Sequence, residues 1–485
     1  MKMFALMLAA FSLLTSAGAA PADTATVWPA PAGAELSKAF QVTVDGKSSP
    51  VYVAHVPSTD KALRGAGTGS TDAAFTTFGM SGPVTIVVTC PDAIASAKVL
   101  PSSLKIAAKV DGKTLTLTMT EPKPLTVEVN DDVVHSLHLL GNPPEQDVPR
   151  VDDPNVIYFG PGIHEIAHLA VGDGKTLYLA GGAILRGVIK PEEPFHVGRS
   201  VNGKEERRSY SATIELKGKG ITFRGRGILD GSLCPAHTRN LLYVNGSDIK
   251  IEGIILHDSS TWNIPIRRSD RVTVENIKIF GYRSNSDGID ICNSRDVTVE
   301  RCFIRTWDDL IVVKADKGQG EVKHVIARDC VLYSEIAHAL SVGAELRENV
   351  DDVLFTNCDV IHDRGREWTL RVYHCDSARI TNVKFSNLRI EDSKRLISVW
   401  INKAIWSRDP ERGHIDGVSF DHIEAAGSPL KVELQGFDAD HAVENVTFHD
   451  VVLNGKPLNE ADVKSNAFVR NVTITPAGES PVQKK

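Results

Sequence analysis

One short pattern recurs eight times between Ile249 and Val451, and it constrains the fold more than any other feature of the chain. The copies begin at Ile249, Val272, Val297, Val325, Val353, Val383, Val418 and Val446. Within each copy, β-branched residues alternate with polar residues over four to five positions, which indicates a strand rather than a helix. The steps of 23 to 35 residues are too short for separate domains and are typical of units that stack on one another. The sequence therefore predicts a solenoid of parallel strands.

The fifth residue after each start is small or aliphatic, and we expect these side chains to stack inside the solenoid. They are Ile254, Ile277, Cys302, Cys330, Cys358, Leu388, Ile423 and Val451. The even spacing of the three cysteines could suggest a metal or disulfide ladder. Stacked side chains on adjacent rungs point the same way, however, which suits buried free thiols better than the disulfide torsion. Seven cysteines in 485 residues are also too few for a disulfide framework.

A second strand follows in each coil, and aligning the coils on it brings distant polar residues together. Two positions before this strand stand Trp262, Asp287, Asp309, His338 and Trp368. Three positions after its start stand Arg267, Cys292, Lys314, Gly343, Tyr373 and Trp400. Rungs of a sheet are about 4.8 Å apart, so acids, a base and aromatic groups should form one stripe on one face. Such a stripe suits a cleft in which sugars are cleaved.

Three aspartates in this stripe divide into two kinds. Asp287 and Asp309 share a position in consecutive coils, whereas Asp308 stands one residue earlier and therefore points differently. Carboxylates held a rung apart in a partly desolvated groove repel one another, which raises the pKa of at least one of them. Glycoside hydrolysis with inversion needs a protonated acid for the leaving oxygen and a carboxylate that activates water. We therefore assign the acid role to Asp308.

The region from residue 20 to residue 145 has a different texture from the solenoid. Its alternating segments are separated by Asp-Gly, Pro and Ser turns, which predicts an antiparallel β-sandwich. The proline-rich segment 141–149 marks the boundary, and we predict that residues 146–478 form an all-β parallel solenoid, the catalytic domain. The polar segment Glu192 to Arg208 is predicted to be a loop over one end of the cleft, and residues 479–485 a disordered tail.

The first 19 residues are typical of a secretory signal. They open with Met-Lys-Met, run apolar from Phe4 to Leu14 and reach an Ala-x-Ala site at Ala17-Gly-Ala19. No later stretch is apolar enough to span a bilayer, so we expect a secreted or periplasmic protein with no membrane contact. The net charge of -7 argues against nucleic acid as a partner. We expect a monomer that acts on a polysaccharide and uses no cofactor or metal.

Four local motifs resemble the signatures of glycoside hydrolase family 28, the polygalacturonases and their relatives. They are Asn285-Ser-Asp-Gly288, Asp308-Asp309, Ala337-His-Ala339 and Leu370-Arg-Val-Tyr373, which look like the NTD, DD, GHG and RIK signatures. The predicted sandwich, with Tyr158-Phe-Gly-Pro-Gly-Ile-His, resembles the related family 49 dextranases. Those enzymes place such a domain before a right-handed parallel β-helix. The resemblance implies that architecture here, and a secreted inverting hydrolase that is polygalacturonase-like.

Carried over by position, the resemblance also implies roles for individual residues. Asp308 is the general acid, Asp287 and Asp309 activate water, and His338 and Arg371 assist and bind substrate. Asn285, from the first signature, is a further candidate for substrate contact.

The chain departs from the family where Tyr373 replaces the lysine that meets a galacturonate carboxylate. Lys314 and Arg371 could still supply positive charge for an acidic sugar, and Glu345 could hydrogen-bond a hydroxyl. Three tryptophans could stack on sugar rings, namely Trp262, Trp368 and Trp400. We favour a pectic substrate, and a neutral α-glucan bound mainly by aromatic stacking is the alternative.

Two other functions are compatible with these residues. A calcium-dependent polysaccharide lyase would use Asp287, Asp308 and Asp309 as oxygen ligands and Arg371 as the base. A carbohydrate-binding solenoid without activity would use the same acids only to turn the chain.

Overall fold

The computed structural model describes residues 24–199 and 206–477. The predicted signal segment, residues 1–19, and the predicted tail, residues 479–485, lie outside the described residues. Within the two described ranges, none of the helices reaches the length and apolarity that a membrane crossing requires.

Two sheets form the N-terminal part of the protein. The first contains Ala25–Val27, Tyr52–Pro57, Ser70–Met80, Ala97–Leu100, Pro124–Val129 and Asp132–Asn142. The second contains Gln41–Val44, Lys47–Ser49, Val84–Thr89, Ala108–Asp111 and Thr114–Met119. Buried side chains of both sheets, such as Phe78 and Leu117, pack in one core. This is the predicted sandwich, except that Ser70–Met80 and Asp132–Asn142 pair in parallel.

One α-helix, Lys61–Ala66, leaves the sandwich between two strands of the first sheet. The side chain of Asp60 caps its N-terminus by accepting hydrogen bonds from the backbone amides of Ala62 and Leu63. Gly67 ends it in the left-handed conformation, with a φ of 63°. Two single turns of 3-10 helix occur elsewhere, at Ser102–Leu104 and Glu460–Asp462.

Residues from Val156 to Thr475 form a parallel β-helix whose strands lie in three stacks. The first stack contains Val156–Phe159, Thr176–Leu179, Thr222–Gly225, Asp270–Glu275, Arg295–Glu300, Val322–Arg328, Val350–Thr356, Val443–Leu453 and Val469–Thr475. The second contains Gly162–Ile166, Ala183–Gly187, Ile228–Asp230, Ile255–His257, Lys278–Phe280, Phe303–Thr306, Val331–Ser334 and Asp359–Asp363. The third contains Leu169–Val171, Ile214–Lys219, Ile264–Arg267, Ile289–Cys292, Ile311–Ala315, Leu340–Leu346, Leu370–His374 and Val463–Ser465.

Three long strands bend around corners and join more than one stack, namely Leu242–Glu252, Arg379–Ile401 and His414–Gln435. The short strand Lys456–Pro457 pairs antiparallel with the end of Val443–Leu453. The segment predicted as a loop, Glu192 to Arg208, instead contains the strand His196–Arg199, which pairs antiparallel with Glu206–Ser209. That prediction was wrong in this respect, because the polar composition of the segment hid two strands that pair only with each other.

The corner between the first and second stacks is turned in the same way in every repeat. The residue four positions after each repeat start has a positive φ, and these residues are Gly253, Asn276, Arg301, Asp329, Asn357, Asn387, His422 and Asp450. Asn, Asp and Gly tolerate this left-handed conformation better than most residues. The next residue in each repeat is one of the eight predicted to face inward, and all eight are buried. The repeated pattern therefore encodes a strand, a left-handed corner and an inward-facing side chain.

The interior of the β-helix is filled by columns of like side chains. Phe355, Phe385, Phe420 and Phe448 stack on successive rungs, with ring centroids 5.0 to 5.1 Å apart. All seven cysteines are buried and free, so the prediction of unpaired thiols is confirmed. The thiol of Cys330 lies 3.2 Å from the backbone carbonyl of Arg328, which gives it a weak hydrogen-bond acceptor inside the column.

The sandwich packs against the outer face of the second stack. Aromatic side chains from both parts meet there, and the rings of Phe75 and Phe280 stack with centroids 5.0 Å apart. Arg305 is fully buried in this junction, where its Nη2 lies 2.8 Å from Glu335 Oε1 and donates to the carbonyl of Val134 at 3.1 Å. A buried guanidinium is tolerated only when it is paired in this way, so the two parts are matched by polar as well as apolar contacts.

The phenylalanine column gives a direct test of the interior. Replacing Phe385 with Ala removes a fully buried ring between two stacked neighbours, and we expect the free energy of unfolding to fall by about 3 to 5 kcal/mol. Phe385→Leu, which keeps most of the buried volume, should cost much less. Chemical denaturation measures both changes. A loss below about 1 kcal/mol for the alanine variant would contradict the assignment of this column to the core.

Candidate active site

The register of the third stack brings the predicted stripe together. Ile289 pairs with Ile311, and Ile311 with Leu340, on consecutive rungs. The turns that precede these strands are joined by backbone hydrogen bonds, from Gly288 N to the carbonyl of Asp309 at 2.7 Å and from Leu310 N to that of His338 at 3.0 Å. The structure therefore places Asp287, Asp309 and His338 one above another, at the entry to the third stack.

Three carboxylates meet at this point. One oxygen from each of Asp287, Asp308 and Asp309 lies within 4.8 Å of the other two. Asp287 and Asp309 are buried, with 2% and 8% of their surface exposed, whereas Asp308 is partly exposed. Charges this close in a desolvated pocket cannot all be ionised at equal cost, so neighbouring groups decide which carboxyl keeps a proton.

Asp309 is held by a chain of hydrogen bonds. Its Oδ1 lies 2.6 Å from Nδ1 of His338, and Nη1 of Arg371 lies 3.0 Å from Nε2 of the same ring. A guanidinium can only donate, so Nε2 accepts from Arg371 and Nδ1 donates to Asp309. Burial would raise the pKa of Asp309, but the contact with His338 outweighs it and lowers the pKa below its usual range. Asp309 is therefore ionised.

Asp287 is held by a different cation. Nζ of Lys314 donates to Oδ2 of Asp287 at 2.9 Å and to Oδ1 of Asp290 at 2.8 Å. Burial would lower the pKa of Lys314, but these two carboxylates raise it above its usual range, so the lysine is charged. Its charge is thus used within the protein. Burial raises the pKa of both Asp287 and Asp290, and Oδ1 of Asp287 is buried with no hydrogen-bond partner in the part of the chain that the structure describes.

Asp308 lacks a cationic partner of its own among the described residues. Its Oδ1 accepts only the backbone amide of Asp309, at 3.1 Å. Burial, together with the negative charges of Asp287 and Asp309, raises the pKa of Asp308 well above its usual range. Within the cluster it is the carboxyl best suited to hold a proton.

Aromatic residues flank the acids on the outer face of the third stack. The guanidinium of Arg371 lies 3.7 Å from the ring centre of Tyr373, and the rings of Tyr373 and Trp400 meet edge to face at 5.1 Å. Trp262 is partly exposed, with Nζ of Lys314 at 3.9 Å from its ring centre. Trp368, by contrast, is only 7% exposed and offers little surface for a sugar ring.

The two remaining predicted contacts are partly exposed near this face. Asn285 has a positive φ of 59° in the turn before Asp287. Glu345 lies in Leu340–Leu346, where the pairing with the preceding strand shifts register between Val313 and Ala315.

Sequence reasoning missed two partners of the catalytic candidates. Asp290 stands in the strand Ile289-Asp-Ile. A charged residue between two apolar residues of a buried strand needs a cationic partner, and this could have pointed to Asp290. Glu367 accepts a hydrogen bond from Nη1 of Arg371 at 3.0 Å and lies within a turn, where its charge did not distinguish it from a solvated residue.

The helix Lys61–Ala66 of the sandwich and the glycine that ends it contact the turns next to the three acids. Nη2 of Arg64 donates to the carbonyls of Glu335 and Arg364, and the indole of Trp307 donates to the carbonyl of Arg64 at 2.5 Å. A Cβ on Gly67 would lie 2.3 Å from the backbone nitrogen of Ser284, so only glycine permits this approach. The sandwich therefore supports the turns that carry Asp287 and Asp308.

The site lies within a segment that matches a known family. Residues 211–477 match the sequence profile described as Glycosyl hydrolases family 28. The chain is 25% identical over 237 residues to an endo-polygalacturonase of Pectobacterium carotovorum subsp. carotovorum, covering 44% of this chain and 56% of that protein. It is 26% identical over 204 residues to an exopolygalacturonase of Arabidopsis thaliana, covering 38% and 46%. The chain thus spans about half the length of these curated relatives.

Solved structures agree on the fold. An exopolygalacturonase from Thermotoga maritima superposes with a TM-score of 0.54 at 18% identity, covering 66% of this chain and 83% of that one. Dex49A from Penicillium minioluteum superposes with a TM-score of 0.61 at 13% identity, covering 93% and 96%. The architecture is therefore a right-handed parallel β-helix preceded by a β-sandwich. The second superposition extends over both parts.

The pairing of Lys314 can be tested by stability. Lys314→Met leaves Asp287 and Asp290 buried without their cation, and we expect the free energy of unfolding to fall by about 3 to 5 kcal/mol. Adding Asp290→Asn to that variant removes one of the two unpaired charges and should recover part of the loss. Chemical denaturation of the two single variants and the double variant measures the coupling. Strictly additive effects would mean that the three side chains do not act as a unit.

Proposed function

Because this chain belongs to glycosyl hydrolases family 28, we propose that it hydrolyses glycosidic bonds of a polysaccharide with inversion, and that the polysaccharide is pectic. The observation that carries the proposal is the meeting of three carboxylates with opposed pKa shifts. Asp308, whose pKa is raised, can donate a proton, and Asp309, whose pKa is lowered, can accept one. Glycosidases need an acid and a base of this kind at one place.

In this mechanism Asp308 protonates the glycosidic oxygen as the leaving group departs. A water molecule held between Asp287 and Asp309 attacks the anomeric carbon from the opposite side and passes its proton to one of them. The open Oδ1 of Asp287 is a ready acceptor for that water. His338 and Arg371 keep Asp309 ionised and oriented. Lys314 orients Asp287 by binding Oδ2 and leaves Oδ1 free.

The stereochemical outcome needs its own measurement. The closest oxygens of the three aspartates lie within 4.8 Å of each other, whereas the two carboxyl groups of inverting enzymes are typically about 6.5 to 9.5 Å apart. That spacing is nearer to the roughly 5 to 5.5 Å of retaining enzymes, so inversion rests here on the proposed attack by water and not by an aspartate. NMR of the first product formed should therefore detect the inverted anomer. A retained anomer would mean that one aspartate attacks the sugar directly.

A pectic substrate is supported by the names of the relatives, which are polygalacturonases. A neutral α-glucan is the second candidate, because the cations near the acids are already paired. Lys314 bonds to Asp287 and Asp290, and Arg371 bonds to Glu367. The exposed surfaces of Tyr373, Trp400 and Trp262 would then bind sugar faces by stacking.

The calcium-dependent lyase has less support. Asp287 and Asp309 would be two of its three metal ligands, but each already pairs with Lys314 or His338. Elimination also leaves an unsaturated product that absorbs ultraviolet light, whereas hydrolysis does not.

We further propose that the protein acts as a secreted or periplasmic monomer. Cell fractionation tests the location, and light scattering of the purified protein tests the oligomeric state.

Asp308→Asn is expected to abolish turnover with little change in melting temperature. The amide cannot supply the proton, and it replaces a carboxyl that has no ion-pair partner among the described residues. Release of reducing ends from polygalacturonate, pullulan, rhamnogalacturonan and dextran measures activity, and calorimetry measures stability. Retention of a tenth of the wild-type rate would exclude Asp308 as the acid.

The pH dependence of kcat/KM should reflect the raised pKa of Asp308 and the lowered pKa of Asp309. Activity requires Asp308 protonated, and because its pKa is raised, activity should persist well above the usual aspartate pKa of about 3.9 and fall at higher pH. Activity also requires Asp309 ionised, and its lowered pKa places the acid limb at low pH. His338→Gln removes the contact that lowers this pKa, so the acid limb should move to higher pH. An unchanged acid limb would show that His338 does not hold Asp309 ionised.

Substrate charge is tested by salt and by paired substitutions. If the substrate carries carboxylates, KM should rise with salt, and Arg371→Met should raise KM. If the substrate is neutral, salt should have little effect and Tyr373→Ala should be the damaging change. Measuring both variants on polygalacturonate and on dextran separates the two substrate classes.

A further inference from the structure

A second cluster of titratable side chains lies where the sandwich meets the β-helix. His55 comes from the sandwich strand Tyr52–Pro57, whereas Asp230 and His257 end neighbouring strands of the second stack and pair on adjacent rungs. Asp258 follows His257 directly. One donor atom each from His55, His257 and Asp258 lies within 4.8 Å of the other two. None of these residues takes part in the proposed hydrolysis.

We propose that His55, His257, Asp258 and Asp230 bind one divalent transition-metal ion, with zinc as the best match. Two imidazoles and two carboxylates are a donor set that zinc accepts in tetrahedral geometry. The ion would join a strand of the sandwich to two rungs of the β-helix. The proposal is independent of the glycosidase activity.

The spacing of the donors around His257 supports this site. Nδ1 of His257 lies 3.6 Å from Oδ1 of Asp230 and 3.7 Å from Oδ2 of Asp258. These distances are too long for good hydrogen bonds. They are close to the roughly 3.3 to 3.5 Å that separates ligands of a tetrahedral ion with bonds of about 2.0 to 2.1 Å. Nδ1 of His55 is 2.5 Å from Oδ2 of Asp258, so the ion would replace the proton between them and the His55 ring would move back slightly.

A buried oxygen without a partner is the second observation. Asp258 is only 1% exposed, and its Oδ1 has no hydrogen-bond partner among residues 24–199 and 206–477. Leaving a buried carboxylate oxygen unsatisfied costs about 1 to 3 kcal/mol or more. A positive charge held at Oδ2 of the same carboxylate would offset part of that cost.

The surroundings fit a metal-bound imidazole. Nε2 of His55 faces exposed carboxylates of Glu35 at 3.9 Å and Asp72 at 4.0 Å, which are beyond hydrogen-bond distance but whose negative charges favour a cation on this ring. Nε of Arg186 donates to Oδ2 of Asp230 at 2.8 Å, whereas Oδ1 accepts the backbone amide of Ser232 at 2.9 Å and keeps a second lone pair for the ion. A cavity of about 50 Å³, lined in part by Asp230 and His257, adjoins the cluster and gives these side chains room to adjust around an ion.

The test uses the full chain, stripped of metal with a chelator and then titrated with zinc. We expect about one tightly bound equivalent by calorimetry and elemental analysis, and a rise in melting temperature that saturates with zinc. His257→Gln should weaken zinc affinity at least about tenfold and abolish that rise. No tight equivalent in the wild-type protein, or unchanged affinity in His257→Gln, would overturn the proposal.

A matched control comes from the surface cluster of Asp421, His422 and His449, which has the same donor types. His449→Gln should keep the tight equivalent, and its loss in this variant would locate zinc at the surface and overturn the proposal. If His257→Gln does not fold, the test is instead made by adding cobalt to the His449→Gln protein, in which the surface cluster has lost a ligand. A visible absorption spectrum of tetrahedral cobalt supports the junction site, and its absence overturns it.

Discussion

The parallel register of the β-helix is the constraint on which the rest of the structure depends. Each rung repeats the position of the one before it, so residues about 25 to 30 apart in sequence become neighbours about 4.8 Å apart. Inside the coil, this register stacks the phenylalanine and cysteine columns. Outside, it aligns Asp287, Asp309 and His338. The same strand register therefore determines both the core and the site. A shift of one residue in the pairing of one coil would disrupt both.

Charge pairing gives the aligned acids their different properties. Asp309 lies against the His338–Arg371 pair, Asp287 shares Lys314 with Asp290, and Asp308 has no cation of its own within the described residues. Three chemically identical carboxyls therefore titrate differently because their neighbours differ. Lys314, which the sequence offered as a contact for an acidic sugar, has its ammonium turned toward the protein's own aspartates. In the proposed function, recognition of a charged substrate therefore depends on Arg371 rather than on Lys314.

The fold and the aligned acids were predictable because they follow from local periodicity. A strand pattern, a residue that tolerates a left-handed corner and an inward side chain recur within each repeat, so one repeat suffices to align the rest. Contacts such as Arg64 with Glu335, or Trp307 with the carbonyl of Arg64, join residues more than 200 positions apart in two different folds. No periodicity connects those positions. Asp290 was missed for another reason, since its partner Lys314 is identified only once both side chains are known to face the same side of the sheet.

The left-handed corner determines where this protein can vary. In every repeat it follows the strand at a fixed distance and leaves no room for an insertion, although the repeats differ in length from 23 to 35 residues. The extra residues must therefore fall in the other two turns of each coil. One of these, for example residues 281–288 and 307–310, carries the catalytic candidates, and the other, for example residues 402–413, follows the strand that ends beside Trp400. The architecture thus keeps one corner constant in the eight repeats and leaves the turns around the acids free to lengthen without rebuilding the coil.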